Sequence, residues 1–69
     1  MEDLVLDVLK RVVEELETEI HLLASGHRMI AEITDGRIVD ASREALSQKR
    51  VYKERISDLI SQIEAARRR

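Results

Sequence analysis

Between two long amphipathic arms, residues 26–42 read GHRMIAEITDGRIVDAS, and the way this stretch folds decides what the whole chain can become. At its centre stand Thr34, Asp35 and Gly36. Asp-Gly between apolar-bearing runs is a strong hairpin signal, because glycine takes positive φ without steric cost. A two-residue turn would pair Glu32 with Val39 and Ala31 with Asp40, which mixes polar and apolar groups on both faces of the ribbon. A three-residue loop of Thr34, Asp35 and Gly36, with Gly36 as the αL residue of a bulge, sets Ile33 against Arg37, Ala31 against Val39 and Met29 against Ala41. Met29, Ala31, Ile33, Val39 and Ala41 then share one face, while Arg28, Glu32, Asp40 and Ser42 go mostly outward, with Ile30 and Ile38 as exceptions. This bulged register is the expected one.

A rival reading runs the first helix onward, since Leu16, Ile20, Leu23, His27 and Ile30 keep helical spacing and Met, Ala and Glu are good helix formers. Asp35-Gly36 would then merely join two helices. Such a helix carries Gly26 in its interior, at a cost of about 1 kcal/mol relative to Ala. The stop-like Ser25-Gly26 and the β-branched Ile38-Val39 favour the hairpin. The expected fold class is therefore α+β, a single small domain over 1–69 with a helix at about 3–24, a β-hairpin at about 28–41 and a helix at about 42–66. The alternative is an all-α antiparallel helical hairpin, serving as an oligomerisation module or a small secretion-type chaperone.

The first arm has Asp3 as an N-cap and acids in its first turn, which suits the helix dipole. Leu9, Val12, Val13, Leu16, Ile20 and Leu23 recur at spacings of three and four, with Glu14, Glu15, Glu17 and Glu19 largely on the other side. Leu4, Val5, Leu6 and Val8 broaden the apolar surface beyond that stripe, which makes Leu4, Val5 and Val8 candidate partner contacts. Gly26 should stop the helix at C′, leaving His27 and Arg28 near its carbonyls. His21 and His27 lie off the i, i+4 spacing of a helical metal pair, so a structural or solvated role is expected of both.

In the second arm Ser42 can cap the helix, with Glu44 in its first turn. Ala45, Leu46, Tyr52, Ile56, Leu59, Ile60, Ile63 and Ala66 form the apolar stripe, broken at Lys49, whose alkyl stem can still lie along the core. Tyr52, the sole aromatic residue, is expected to pack its ring on the hairpin or first helix. Arg67, Arg68 and Arg69 close the chain and are further candidate partner contacts. No aromatic residue interleaves the bases, and Glu44, Glu54, Asp58 and Glu64 dilute them, so a solvated helix end is expected in preference to a nucleic-acid surface.

A chain of 69 residues forms one domain with a marginal core, which points to oligomerisation or docking on a protein partner. It contains no Cys, so disulfides and thiolate chemistry are excluded. No apolar run approaches the roughly 20 residues that span a bilayer, and the acidic Glu2-Asp3 is unlike a secretory signal, so a cytoplasmic location is expected. Net charge is −2, yet residues 1–26 hold seven acids and two bases while 27–69 hold ten bases and seven acids. Neighbouring copies packing acidic arm on basic arm would use that polarity, as would the two arms of one chain. The sequence has no nucleophile paired with a base, no glycine-rich phosphate cradle and no evident carboxylate pair. No enzyme activity, cofactor, metal or small-molecule substrate is expected.

The order helix, Gly, Asp-Gly hairpin, helix resembles the phage lambda W type head-tail joining proteins. The resemblance rests on Gly26 ending the first helix, a basic residue at Arg28, the turn Asp35-Gly36-Arg37, and Val39, Asp40 and Ser42 before the second helix. It covers about residues 9–64, and its most specific part is residues 26–42. The chain departs from the pattern at Glu32, where an apolar residue is usual, at Ala41, where a larger one is common, and in its longer first helix. The resemblance implies a structural role: copies form a ring beneath the portal of a filled phage head, close it, and offer a surface to the next connector or tail component. The implied location is the host cytoplasm and the virion. No catalytic residues carry over; Gly26, Asp35, Gly36 and Arg37 are structural turn positions.

Overall fold

The computed structural model describes residues 4–68. Helix α1 spans Leu4–Ala24, strand β1 Ala31–Thr34, strand β2 Arg37–Asp40 and helix α2 Ser42–Arg67. Asp3, read above as an N-cap, lies outside the described residues.

The helices pack along a seam that follows a heptad rhythm. In α1, Leu6, Leu9, Val13, Leu16, Ile20 and Leu23 alternate spacings of three and four, and all are buried or half-buried. In α2 the same rhythm runs through Leu46, Lys49, Lys53, Ile56, Ile60 and Ile63, all half-buried. The pairs Lys10 Nζ–Glu64 Oε2 at 3.2 Å, Lys53 Nζ–Glu17 Oε2 at 3.9 Å and Lys49 Nζ–Glu19 Oε2 at 3.1 Å show the helices to be antiparallel. Leu6, grouped above with the surplus apolar residues, belongs to this seam and is buried, as are Leu23 and Ala41.

The seam corrects the stripe expected for α2. Tyr52 is 60% exposed and Leu59 44% exposed, and Ala66 is exposed as well. Tyr52 therefore does not pack its ring into the core. Tyr52 and Leu59 each precede a seam position, Lys53 and Ile60, by one residue, and Ala66 continues their spacing of seven, so the three form a second, lateral stripe. Lys49 and Lys53 occupy the seam because their alkyl stems lie toward α1 while their ammonium groups reach Glu19 and Glu17.

Helix α1 ends where Gly26 takes φ 80. The Gly26 N–H donates to the Leu23 carbonyl at 3.3 Å and the Arg28 N–H to the Leu22 carbonyl at 3.1 Å, a Schellman-like closure that satisfies the last carbonyls. The continuous helix, and with it the all-α alternative, is excluded by this stop and by the antiparallel pairing of β1 with β2.

The register corrects the sequence expectation. Thr34 faces Arg37, Ile33 faces Ile38, Glu32 faces Val39 and Ala31 faces Asp40. The turn has two residues, Asp35 at φ 51 and Gly36 at φ 76. Positive φ at both is the type I′ pattern, whose twist matches that of the strands, so no bulge is needed. The bulged register gathers apolar residues on one face, but every strand residue is exposed, so no buried face exists to reward that segregation. Ala41 consequently faces Ile30 rather than Met29, donating its N–H to the Ile30 carbonyl at 2.8 Å.

At this point the ladder and helix α2 compete for one acceptor. The Ala41 carbonyl accepts the Ala45 N–H at 3.0 Å, which begins the helix and leaves the Ile30 N–H without its ladder partner. The Ser42 hydroxyl accepts that N–H at 2.8 Å. Ser42 is thus the first helical residue rather than the cap; Ala41 holds the N-cap position and makes no side-chain cap bond. Capping comes from Asp40, whose Oδ1 accepts the Ser42 N–H at 2.9 Å. The Ser42 hydroxyl and N–H beside it together hold the Asp40 carboxyl below its ordinary pKa.

Two sets of outcomes follow. An added Cβ meets nothing within 4 Å at Gly26 or Gly36, so alanine at either should cost only backbone strain, about 1 to 2 kcal/mol in urea melts; Gly36→Asn should cost less, because Asn visits αL more readily. At the junction, Ser42→Ala should destabilise by roughly 1 to 2 kcal/mol and abolish exchange protection of the Ile30 amide, while Ser42→Thr should retain it. Because the folded Asp40 pKa lies below its unfolded value of about 3.9, this contact stabilises fully above that pH and is lost as pH falls through the lower folded value. Asp40→Asn should flatten that acid limb of a pH-stability curve.

Candidate docking surfaces

The hairpin projects from the end of the helix pair, and the substantial packing contacts are helix on helix and strand on strand. Side chains alternate across the strands, so Ala31, Ile33, Ile38 and Asp40 share one face and Glu32, Thr34, Arg37 and Val39 the other. Ile33 and Ile38 stand directly opposite each other and are 80% and 79% exposed. Met29, just before β1, is also largely exposed. With two strands only, both outer edges of the ribbon are open as well.

The candidate contacts named from the sequence gather at the opposite end. Leu4, Val5 and Val8 are exposed and, with Leu9, line a shallow apolar concavity at the start of α1. The Lys10–Glu64 pair brings the end of α2 beside them, which places the exposed Arg67 and Arg68 near this patch. Arg69 lies outside the described residues. The turn positions Gly26, Asp35, Gly36 and Arg37 sit at the hairpin end and shape the backbone there.

His27 Nδ1 lies 2.7 Å from Ser25 Oγ, which also donates to the Leu22 carbonyl at 3.2 Å, so His27 belongs to the helix stop. His21 lies in the last turn of α1. Among the described residues, no three His, Cys, Asp or Glu side chains gather as metal ligands, and no helix is long and apolar enough to cross a membrane.

The molecule is extended. It measures 54 × 22 × 18 Å with a radius of gyration of 15.8 Å, against about 11 Å for a compact domain of this length. Its accessible surface is 5781 Å², roughly 1,300 Å² above the scaling for a folded monomer of its mass. Among the described residues, no large side chain is fully buried. The arrangement exposes apolar surface at both ends of a rod.

Sequence reasoning missed the Ile33–Ile38 pair because it chose the other register. The Asp-Gly dipeptide, read strictly as a type I′ turn, carried the signal that would have found it. Comparison of the chain with protein-family models, with curated proteins and with solved structures finds no match.

Proposed function

We propose that this chain is a structural subunit that docks into a larger protein assembly, and that the assembly is a phage head-tail junction, where copies sit beneath the portal of a filled head. The Ile33–Ile38 pair carries the docking part of this reading. A cross-strand isoleucine pair four-fifths exposed on a projecting ribbon has no core of its own to enter, so the apolar surface is available to a partner. The apolar and basic patch at the other end gives the rod a second contact, as a joining piece between two components needs. The head-tail assignment is supported by the sequence resemblance over residues 26–42, and the helix, hairpin, helix order agrees with it. The positions that carry the resemblance, however, serve the backbone: Gly26 and Gly36 supply positive φ, and Asp40 and Ser42 tie hairpin to helix.

Complementation of a phage lacking its head-completion protein tests the proposal, read as stable filled heads able to accept tails. The wild-type chain should complement. Ile33→Lys with Ile38→Lys should keep the helical circular dichroism spectrum, since both sites are exposed, yet lose most of the infectious titre. Replacing Arg67, Arg68 and Arg69 by Gln should leave the melting temperature nearly unchanged, exposed charges at a helix end contributing only about 0.3 to 1 kcal/mol each, while lowering titre; Leu4→Glu with Val8→Glu should act likewise. Full complementation by all three folded variants would remove both ends as docking sites, and failure of the wild type would remove the phage assignment.

A further inference from the structure

One edge of the β-ribbon is both open and apolar. An antiparallel ladder alternates pairs that exchange their N–H···O bonds with pairs whose N–H and C=O groups point outward. The bond from the Ala41 N–H to the Ile30 carbonyl fixes the phase, so Glu32–Val39 and Thr34–Arg37 are the bonded pairs within the ribbon. Ala31 and Ile33 therefore turn their amide and carbonyl groups to the outer edge of β1, and Met29, one step earlier in the same alternation, continues that edge. The corresponding edge of β2 stops at Asp40, because helix α2 starts at Ser42. The usual guards of an exposed edge are missing from β1: the chain has no proline, the turn has no bulge, and neither strand carries a lysine. Met29 and Ile33, whose side chains flank the edge, are 70% and 80% exposed.

We infer that this edge pairs with the same edge of a second copy, β1 antiparallel to β1 about a two-fold axis at Ala31, giving a four-stranded sheet in the order β2-β1-β1-β2. The inference concerns the free chain and does not rest on the assembly reading above. The two rods point in opposite directions, so the contact has to part before copies take a common direction around a ring.

Charge along the edge selects a second copy as the occupant. Arg28 lies at the base of the ribbon and Glu32 and Asp35 toward its tip; all three are exposed, and among the described residues none makes an ion pair within the chain. Antiparallel pairing of the edge with itself lays the base of each copy beside the tip of the other. Each Arg28 then stands diagonally across from Glu32 of the second copy, within reach of two long side chains. In this register Met29 lies opposite Ile33 of the second copy and Ala31 opposite Ala31, so the outward groups of all three residues find partners. The contact is self-complementary, as an isologous interface requires. Sliding the strands until Ala31 meets Ile33 would set Glu32 directly against Glu32 and leave Met29 unpaired, and a parallel pairing would set Arg28 beside Arg28. Because each helix pair leads away from the base of its own ribbon, the two rods leave the shared sheet at opposite ends. Pairing also meets a need of the ribbon itself: two strands alone are marginal in water, and a sheet of three or more with an apolar face is not. Met29, Ala31, Ile33 and Ile38 of both copies supply that face.

Sedimentation equilibrium of the full chain, with amide hydrogen exchange across the same concentrations, tests this. The wild type should form dimers and nothing larger as concentration rises. The Ala31 and Ile33 amides should gain protection with the dimer, while the Ile38 amide, on the outer edge of β2, should not; the Val39 amide, bonded within the ribbon, reports that the ribbon is intact. Ala31→Pro removes an outward donor and no ribbon bond, and should be monomeric with the Val39 amide still protected. Arg28→Glu alone and Glu32→Arg alone should each weaken association by about tenfold or more, because each homodimer sets like charges diagonally across at both sites. Mixing these two variants should restore association, since the heterodimer sets two acids against two bases. That mixing result holds the inference to account if Ala31→Pro disrupts the ribbon. A wild type that stays monomeric up to millimolar concentration overturns the inference and leaves the edge to a strand of another protein. Association that leaves the Ala31 and Ile33 amides unprotected, or that protects Ile38, places the contact elsewhere and overturns it as well, as does a mixture no better than its components. None of these outcomes decides the phage complementation described above, which tests the assembly reading separately.

Discussion

The carbonyl of Ala41 cannot end a strand ladder and begin a helix with the same hydrogen bond, and the molecule depends on how that conflict is resolved. The helix takes the carbonyl through Ala45, and the Ser42 hydroxyl takes the Ile30 N–H that the ladder gives up. Asp40 then accepts the Ser42 N–H, so one short segment closes the ribbon and starts α2. Local bonds of this kind matter because the hairpin has little packing against the helices to hold its direction. With the ribbon carried beyond the helix pair, Ile33 and Ile38 are delivered to an end of the rod instead of into a core.

The helix pair has a related economy. Two helices alone can cover one stripe each, and the covered stripe includes Lys49 and Lys53. Lysines are tolerable there because the seam is open at its flanks: the stems cover apolar surface while the head groups remain near water and near Glu19 and Glu17. Partly exposed pairs of this type add at most about 1 kcal/mol, so they orient the helices more than they stabilise them. Placing lysines in the seam and Tyr52 and Leu59 outside it reverses the distribution expected of a self-sufficient monomer.

On the proposed reading, different residues carry fold and function. Gly26, Asp35, Gly36, Asp40 and Ser42 set backbone geometry, and they are the residues on which a family resemblance can be seen. Exposed isoleucines, valines and the basic helix end form the surfaces a partner would meet, and such surfaces have no fixed spacing to recognise. A resemblance in the first group speaks to architecture, and only the second group can say what is bound.

Much of the architecture was legible because it is enforced within a few residues. Gly26 and Gly36 mark the two sites of positive φ open to glycine, and the alternation of three and four announces each helix. The register was not legible by the criterion of a buried face, since the ribbon has none; the turn dihedrals at Asp35 and Gly36 decided it. Nor could sequence separate the two stripes of α2, because Tyr52, Leu59 and Ala66 fit helical periodicity as well as Ile56, Ile60 and Ile63 do. Which stripe is covered depends on where α1 lies, a choice made by the packing of two helices distant in sequence. For the same reason the role of Ser42 was misassigned: a serine at a helix start reads as a cap, and only the approach of Ile30 from the other strand turns its hydroxyl to a different task.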